Sequence, residues 1–365
     1  MFKYSKSKPE KVLNAWAFYD WANSVYPLVI STAVFPIYYM ALFVESDYID
    51  FLGLNLKNTA LIQYVTSFTF FLLALMIPLM SGIADFLGNK KNFMKFFVYT
   101  GSFSCIALYF FDLNNIYLGI FFYLFALFSF WASLVFYNSY LPDIVKPEDH
   151  DRASALGYSY GYLGSVILLL FNIIMINFPD FFGFENSGLG KLQAMKVSFV
   201  TVGIWWLIFS QYSFYFLPSK KNNINMFGGI KKSIVFSGFN ELYYVWIILK
   251  KNKYIKQFLI AFFTFSTAVQ TIVLIATYFG ENEINWMEGE KTTGLIISML
   301  LIQLIAIFGS IGGAMISKKL GNAKTLIIFN ISWFIICIIA YFIESTTEFY
   351  IVACMVGLVM GGIQS

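Results

Sequence analysis

A carboxylate and an amide interrupt the first long apolar stretch of the chain. Asp20 and Asn23 lie there with Ser24, Pro27 and Ser31, which follow Asp20 by 4, 7 and 11 positions. On an α-helix these offsets place all five residues on one face. A charged side chain costs about 2.5–3.5 kcal/mol at the bilayer centre, so such a face is suited to a water-filled cavity. Asp20 could carry a proton there or bind the ammonium group of a solute; alternatively, it caps or pairs locally near the cytoplasmic end of its helix.

Further polar side chains lie within later apolar stretches. Together with Asp20 and Asn23, the candidates for solute contact or coupling are Tyr26, Tyr137, Asn138, Thr267, Gln270 and Thr271. Threonine hydroxyls in membrane helices also donate to local backbone carbonyls, and Asn and Gln side chains also join helices. Both the functional and the structural role stay open for each of these side chains.

The elements that carry these side chains must be membrane helices. Hydrophobic residues make up 59% of the 365 residues and charged residues 12%, against roughly 45–50% and about 25% in soluble domains. A spanning helix needs about 20 mainly apolar residues. We therefore predict an all-α polytopic membrane protein with helices near residues 16–44, 58–80, 93–111, 116–141, 153–177, 196–217, 256–279, 294–316, 325–343 and from 349 onward.

The basic residues predict the orientation of these helices. Of the 24 lysine and arginine residues, 20 lie in alternate segments that include the N-terminus, and four lie on the other side. Because cytoplasmic loops are enriched in lysine and arginine, we expect a multi-pass protein with a cytoplasmic N-terminus. In a bacterium the membrane would be the plasma or inner membrane.

The longest polar stretch divides the predicted helices into six and four. We expect an N-terminal six-helix half at 1–217, a cytoplasmic linker at 218–255 and an incomplete C-terminal half at 256–365. Residues 234–249 could form an interfacial amphipathic helix, followed by lysines near anionic headgroups. The alternative is a plain tether between the two halves.

Several classes of chemistry are excluded by residue counts and missing motifs. One histidine and three widely separated cysteines do not supply a histidine- or cysteine-rich metal site. H-E-x-x-H, G-x-S-x-G and the phosphate-binding P-loop do not occur, so we expect no catalytic residues, no metal and no cofactor. The basic residues follow the membrane topology, so we expect no nucleic-acid partner.

Two loops on the predicted cytoplasmic side resemble each other. Residues 83–91 and 316–324 match at an isoleucine, a leucine, a glycine, an asparagine and a lysine. Each loop follows the second helix of its half, which indicates parallel six-helix repeats. Chance agreement between two short polar turns is the alternative.

The first of these loops is similar to the cytoplasmic signature of the major facilitator superfamily. That signature has Gly, Asp, Gly and basic residues at fixed spacing, and Asp85, Gly88, Lys90 and Lys91 match it, whereas Ser81 replaces the first glycine. In the second loop a lysine stands at the acidic position, which puts a gating role for that copy in doubt.

The resemblance favours a conformational latch at the cytoplasmic face. We expect Asp85, Gly88, Lys90 and Lys91 to form it, and two residues after the fourth helix, Asp143 and Arg152, to supply partners. Arg152 is the single arginine of the chain and is suited to a bidentate contact with a carboxylate. A solvated loop whose charges serve only topology is the alternative.

Three further segments resemble the vacuole-effluxer branch of that superfamily, whose yeast member exports amino acids from the vacuole. They are residues 15–24, 135–143 and 270–278, and residues 361–364 resemble a further motif of the branch. The resemblance covers essentially the whole chain. It implies two parallel six-helix repeats, of which the second is incomplete and about ten helices are present, and helices one, four and seven that face a central cavity. It also implies that about two and a half helices are absent, as in a C-terminally truncated member.

These observations together predict a secondary active transporter. We expect it to move a small solute by alternating access, with the site near the bilayer midplane. The resemblance suggests an amino acid or similar solute, and proton coupling through Asp20 is an open option. The expected partners are the solute, the lipid bilayer and, if coupled, protons, and the oligomeric state is open. The alternative is a non-transporting membrane scaffold or receptor derived from a truncated transporter.

Overall fold

A computed structural model describes residues 9–43, 48–219, 243–244, 246–287 and 291–364 of the chain. Within these residues, ten helical segments are long and apolar enough to cross a membrane. The predicted all-α polytopic class is confirmed, because hydropathy reports directly on the length of each apolar stretch.

The described residues form these helices, in chain order. They are α1 Pro9–Asn23, a π-helix Tyr26–Val34, α2 Phe35–Ala41, α3 Asn58–Leu87, α4 Lys90–Ala107, α5 Ile116–Asn138, α6 Leu141–Ile144, α7 His150–Asn177, α8 Gly188–Phe216, α9 Lys253–Glu283, α10 Lys291–Leu320, α11 Asn322–Phe342 and α12 Thr346–Gln364. A small antiparallel hairpin of β1 Tyr48–Phe51 and β2 Leu54–Lys57 precedes α3, with Tyr48 opposite Lys57.

The chain divides into two compact units. The first contains Met1–Pro147 and Gly164–Asn240, and the second contains Glu148–Leu163 and Glu241–Ser365. Helix α7 therefore contributes its opening turns to the second unit and its remainder to the first. The predicted halves at 1–217 and 256–365, joined by a linker at 218–255, stay a prediction.

Helix α8 is central to the packing of the first unit, because it lies against both α1 and α4. The fully buried Trp206 of α8 fits over Gly101 of α4, where an added Cβ would lie 2.5 Å from the indole ring. Small residues let membrane helices approach closely, and van der Waals packing then holds them together.

The second unit packs α10 closely against α12 through glycines. A Cβ on Gly309 of α10 would lie 2.2 Å from the carbonyl oxygen of Leu358, and one on Gly361 of α12 would lie 2.1 Å from that of Ala306. The two backbones are therefore in direct contact, which only glycine permits at these positions.

The first membrane span is not one continuous α-helix. After α1 ends at Asn23, residues Tyr26–Val34 form a π-helix, whose turns contain more residues than the 3.6 of an α-helix. The predicted single face for Asp20, Asn23, Ser24, Pro27 and Ser31 is therefore wrong beyond the end of α1, because the wider turns change the direction of the later side chains.

Candidate transport site

Asp20 lies inside α1 and is bound by a side chain of another helix. Only 6% of Asp20 is exposed, and the Tyr137 hydroxyl of α5 donates a hydrogen bond of 2.8 Å to its Oδ2 atom. Asp20 follows the start of α1 by eleven residues, which corresponds to about 16 Å of helix. The carboxylate therefore joins two helices of the first unit, since a buried charge needs a partner.

Two aromatic residues of α1 pack against the Tyr137 ring. The Trp16 indole stacks on Tyr137 with centroids 4.5 Å apart, and its Nε1 donates to the Tyr137 carbonyl oxygen over 3.0 Å. The Tyr19 ring lies 4.9 Å away, and its hydroxyl donates to Ser133 Oγ over 2.8 Å. These contacts fix the direction of the Tyr137 hydroxyl towards Asp20.

Two further candidates lie buried in the same unit. Asn23 is 1% exposed, and its Oδ1 accepts a hydrogen bond of 3.3 Å from the Ser24 hydroxyl. Tyr26 is fully buried and stacks on Phe130 with centroids 4.9 Å apart. Asn138 is exposed at the end of α5, so its amide is not enclosed with the preceding tyrosine.

The candidates on α9 belong to the second unit. Thr267, Gln270 and Thr271 are exposed, and the Thr271 hydroxyl donates to the carbonyl oxygen of Thr267 over 2.8 Å. This bond is the local contact that threonine commonly makes in membrane helices. Their role in solute contact stays a prediction.

Two lysines of the predicted latch have partners within the first unit. Lys90 Nζ lies 3.4 Å from Asp143 Oδ2 and also donates to the Ser139 carbonyl oxygen over 3.3 Å. Lys91 Nζ donates to the carbonyl oxygen of Leu217 over 2.8 Å. The two lysines therefore tie the start of α4 to the ends of α5 and α8. A partly exposed ion pair is worth about 0–1 kcal/mol, and the role of this contact as a latch stays a prediction.

The remaining residues of the predicted latch are Gly88, Asp85 and Arg152. Gly88 has φ of +63° where α3 ends, a conformation that favours glycine. The Asp85 side chain lies outside the described residues. Arg152 is exposed and belongs to the second unit, so its predicted pairing stays untested.

A polar cluster in the second unit was not predicted from the sequence. Asp151, in the first turn of α7, accepts hydrogen bonds from the Ser317 hydroxyl and from Asn322 Nδ2, the latter over 3.3 Å. Ser317 and Asn322 flank Gly321, whose φ of +84° matches the glycine of the first loop in sign. In the second loop, two uncharged side chains therefore donate to the Asp151 carboxylate. The asparagine that the two loops share, Asn322 in this one, was the only sequence feature that pointed to a polar contact here.

Two more polar contacts join α7 to other helices of this unit. The Ser159 and Ser310 hydroxyls lie 3.1 Å apart, and the Tyr162 hydroxyl donates to Gln364 Oε1 over 2.6 Å. Gln364 belongs to a sequence motif that resembles the branch, but no pattern in the sequence indicated either contact.

The sequences of known proteins point to the same family as the helices and motifs described above. The family model described as vacuole effluxer Atg22 like matches residues 8–365. The chain belongs to this family. Within the major facilitator superfamily, the family comprises membrane transporters rather than enzymes, and the chain, with its ten candidate spans, is an integral multi-pass secondary transporter.

Relatives of this vacuole-effluxer family member share most of its length. The uncharacterized MFS-type transporter YxiO of Bacillus subtilis (strain 168) is 30% identical over 355 residues, which cover 96% of this chain and 78% of YxiO. Autophagy-related protein 22-1 of Penicillium rubens is 22% identical, over 87% of this chain and 65% of that protein.

Solved transporters share the fold of this family member. The proton:xylose symporter XylE superposes with a TM-score of 0.64 at 12% identity, over 99% of this chain and 81% of XylE. The Escherichia coli fucose:proton symporter FucP gives a TM-score of 0.60 at 11% identity, over 98% of this chain and 84% of FucP. At such identities the likeness shows the major-facilitator fold alone.

Proposed function

We propose that this transporter moves a small amino-acid-like solute by alternating access and couples the movement to protons through Asp20. The observation that carries the proposal is the buried carboxylate of Asp20 bound to the Tyr137 hydroxyl across two helices. An ionisable group inside a membrane protein is costly, and its presence points to a role in transport.

The pairing of Asp20 with Tyr137 suits a group that gains and loses a proton. The Tyr137 hydroxyl can donate to a carboxylate, and it can accept from a protonated carboxylic acid. The two side chains therefore stay hydrogen-bonded in both protonation states. The loss of charge on protonation removes the cost of burying Asp20, so proton binding can favour the state in which the site is closed.

Support for the amino-acid class comes from the resemblance to the vacuole-effluxer branch and from the charge of Asp20. A carboxylate offers a partner to the ammonium group of an amino acid.

A solute screen in proteoliposomes tests this substrate class. Vesicles with the purified full chain are loaded with one unlabelled solute, and counterflow of trace labelled solute is measured for amino acids, xylose and fucose. We expect saturable counterflow for at least one amino acid and none for the sugars. Counterflow of sugars alone would overturn the amino-acid proposal. The absence of all counterflow would favour the scaffold alternative.

A further inference from the structure

The segment that leads into α9 presents aromatic rings and lysines together. We call residues 243–256 the basic–aromatic segment. Tyr243 and Tyr244 are each 63% exposed, Trp246 is 57% exposed and Tyr254 is 83% exposed. Residues 243–244 and 246–251 are helical, and the Asn252 side chain then caps α9.

All the charged residues of this segment are lysines. Lys250, Lys251, Lys253 and Lys256 are all exposed, and the sequence contains no acidic residue between positions 242 and 280. Lys250 Nζ lies 5.5 Å from the centroid of the Trp246 ring, so one ammonium group and one indole form a single surface feature.

The start of α9 indicates how deep the basic–aromatic segment lies in the bilayer. Phe258, Phe262 and Phe263 are exposed and begin the apolar part of the candidate span Lys253–Ile272, of which only 6% is buried. At 1.5 Å per residue, Phe262 lies about 14 Å along the helix from Lys253. The headgroup layer is about 5–7 Å thick on each side of the hydrocarbon. When the phenylalanines lie in hydrocarbon, the lysines lie among the headgroups.

We propose that the basic–aromatic segment binds the acidic headgroups of anionic lipids in the leaflet that it faces. Tryptophan and tyrosine prefer the headgroup level, and lysine stems can lie along apolar surface while the ammonium groups reach phosphates. Each lysine beside an anionic leaflet strengthens such binding by about five-fold. Under the predicted orientation this leaflet is the cytoplasmic one, and the proposal does not depend on the proposed substrate or on proton coupling.

The quenching of Trp246 fluorescence measures which lipid is next to the segment. The full chain is reconstituted into phosphatidylcholine vesicles with a fixed fraction of either brominated phosphatidylglycerol or brominated phosphatidylcholine. The fluorescence of Trp246 is obtained as the difference in emission between the wild type and Trp246→Phe. We expect brominated phosphatidylglycerol to quench this signal about three-fold more strongly or better, because the lysines concentrate it there. Equal quenching by the two lipids would overturn the proposal.

Two lysine variants and added salt distinguish binding at this segment from a general attraction between the protein and anionic lipid. The K250Q/K251Q/K253Q variant is expected to bring the quenching ratio close to one. The K318Q/K319Q/K324Q variant loses the same charge from another loop and is expected to keep the wild-type ratio. In the wild type, 0.5 M salt should lower the ratio, because it shortens the Debye length to a few ångströms. A ratio that survives both the first variant and salt would contradict binding by these lysines, whatever the transport assays show.

Discussion

Asp20 and Tyr137 lie 117 positions apart in the sequence and 2.8 Å apart in the structure. The sequence marked both residues, because a carboxylate and a phenol with an adjacent amide are unusual inside apolar stretches. It did not mark Trp16 or Tyr19 as the residues that hold the Tyr137 ring. Aromatic residues make up 21% of the chain, so no pattern distinguishes a positioning ring from one that faces lipid.

Replacement of Tyr137 by phenylalanine tests the proposed carboxylate site. Tyr137→Phe keeps the stacking on Trp16 but removes the hydroxyl that donates to Asp20. A hydrogen bond to a charged group is worth about 1.5–3 kcal/mol, so we expect proton-driven uptake to fall by about ten-fold or more. The matched control is Tyr99→Phe, which removes an exposed hydroxyl bonded to Gln211. Equal uptake by the two variants would contradict the role of Tyr137.

Within the first span, the spacing of polar residues could not predict the π-helix. The offsets of the polar residues in the first span were converted to a face with the α-helical repeat, and that conversion fails after Asn23. Pro27 removes one backbone donor where the π-helix begins, but a proline is also compatible with an ordinary kink. The choice between the two depends on tertiary packing, which one sequence does not contain.

The Thr32 hydroxyl is expected to stabilise this π-helix. It donates to the carbonyl oxygens of Pro27 and Leu28 over 3.1 and 2.7 Å. We expect Thr32→Val to lower the unfolding free energy by about 0.5–1.5 kcal/mol, the net value of one hydrogen bond, as measured by thermal unfolding in detergent. Thr69→Val is the control, since its hydroxyl donates to the carbonyl of Val65 within the regular helix α3. An unfolding free energy of Thr32→Val equal to that of the wild type would contradict a stabilising role for this hydroxyl.

The close packing of α10 against α12 at their glycines can be tested by adding a methyl group. A methyl group on Gly361 would lie 2.1 Å from the Ala306 carbonyl oxygen, whereas the space beside Gly312 of α10 is open. Overpacking costs typically about 1–3 kcal/mol, so Gly361→Ala should lower the unfolding temperature and Gly312→Ala should leave it unchanged or raise it. Thermal unfolding of both variants in the same detergent is the measurement. Similar unfolding temperatures for the two would contradict the described packing.

For the whole molecule, hydropathy was sufficient to predict the ten helices, because it is a sum over many residues and an error at one position does not change it. The superfamily was predicted from the resemblance of short motifs, among them the loop at residues 83–91. The repeated loops predicted matching turns, and Gly88 and Gly321 both have positive φ. The polar contacts of α7 with Ser310, Ser317 and Gln364 could not be predicted, because serine and glutamine have the same local pattern with or without a distant partner.

The predicted orientation is tested by accessibility from outside the cell. In a variant without native cysteines, single cysteines replace Lys57, Lys191, Lys251 or Lys324, and intact cells are treated with a membrane-impermeant maleimide. The lysine asymmetry predicts labelling at positions 57 and 191. Positions 251 and 324 should react only after the cells are opened. The reverse pattern would invert the topology and place the basic–aromatic segment outside.

Proton-driven accumulation in proteoliposomes tests the central claim most directly. With an imposed proton gradient, the wild type is expected to accumulate the solute found by counterflow. Asp20→Asn, which cannot gain or lose a proton at this position, should still exchange labelled for unlabelled solute but should accumulate none. Asp112→Asn is the control, because Asp112 lies outside the helices that form the site and pairs with Lys196 over 4.0 Å. Accumulation by Asp20→Asn at the wild-type level would contradict proton coupling through Asp20.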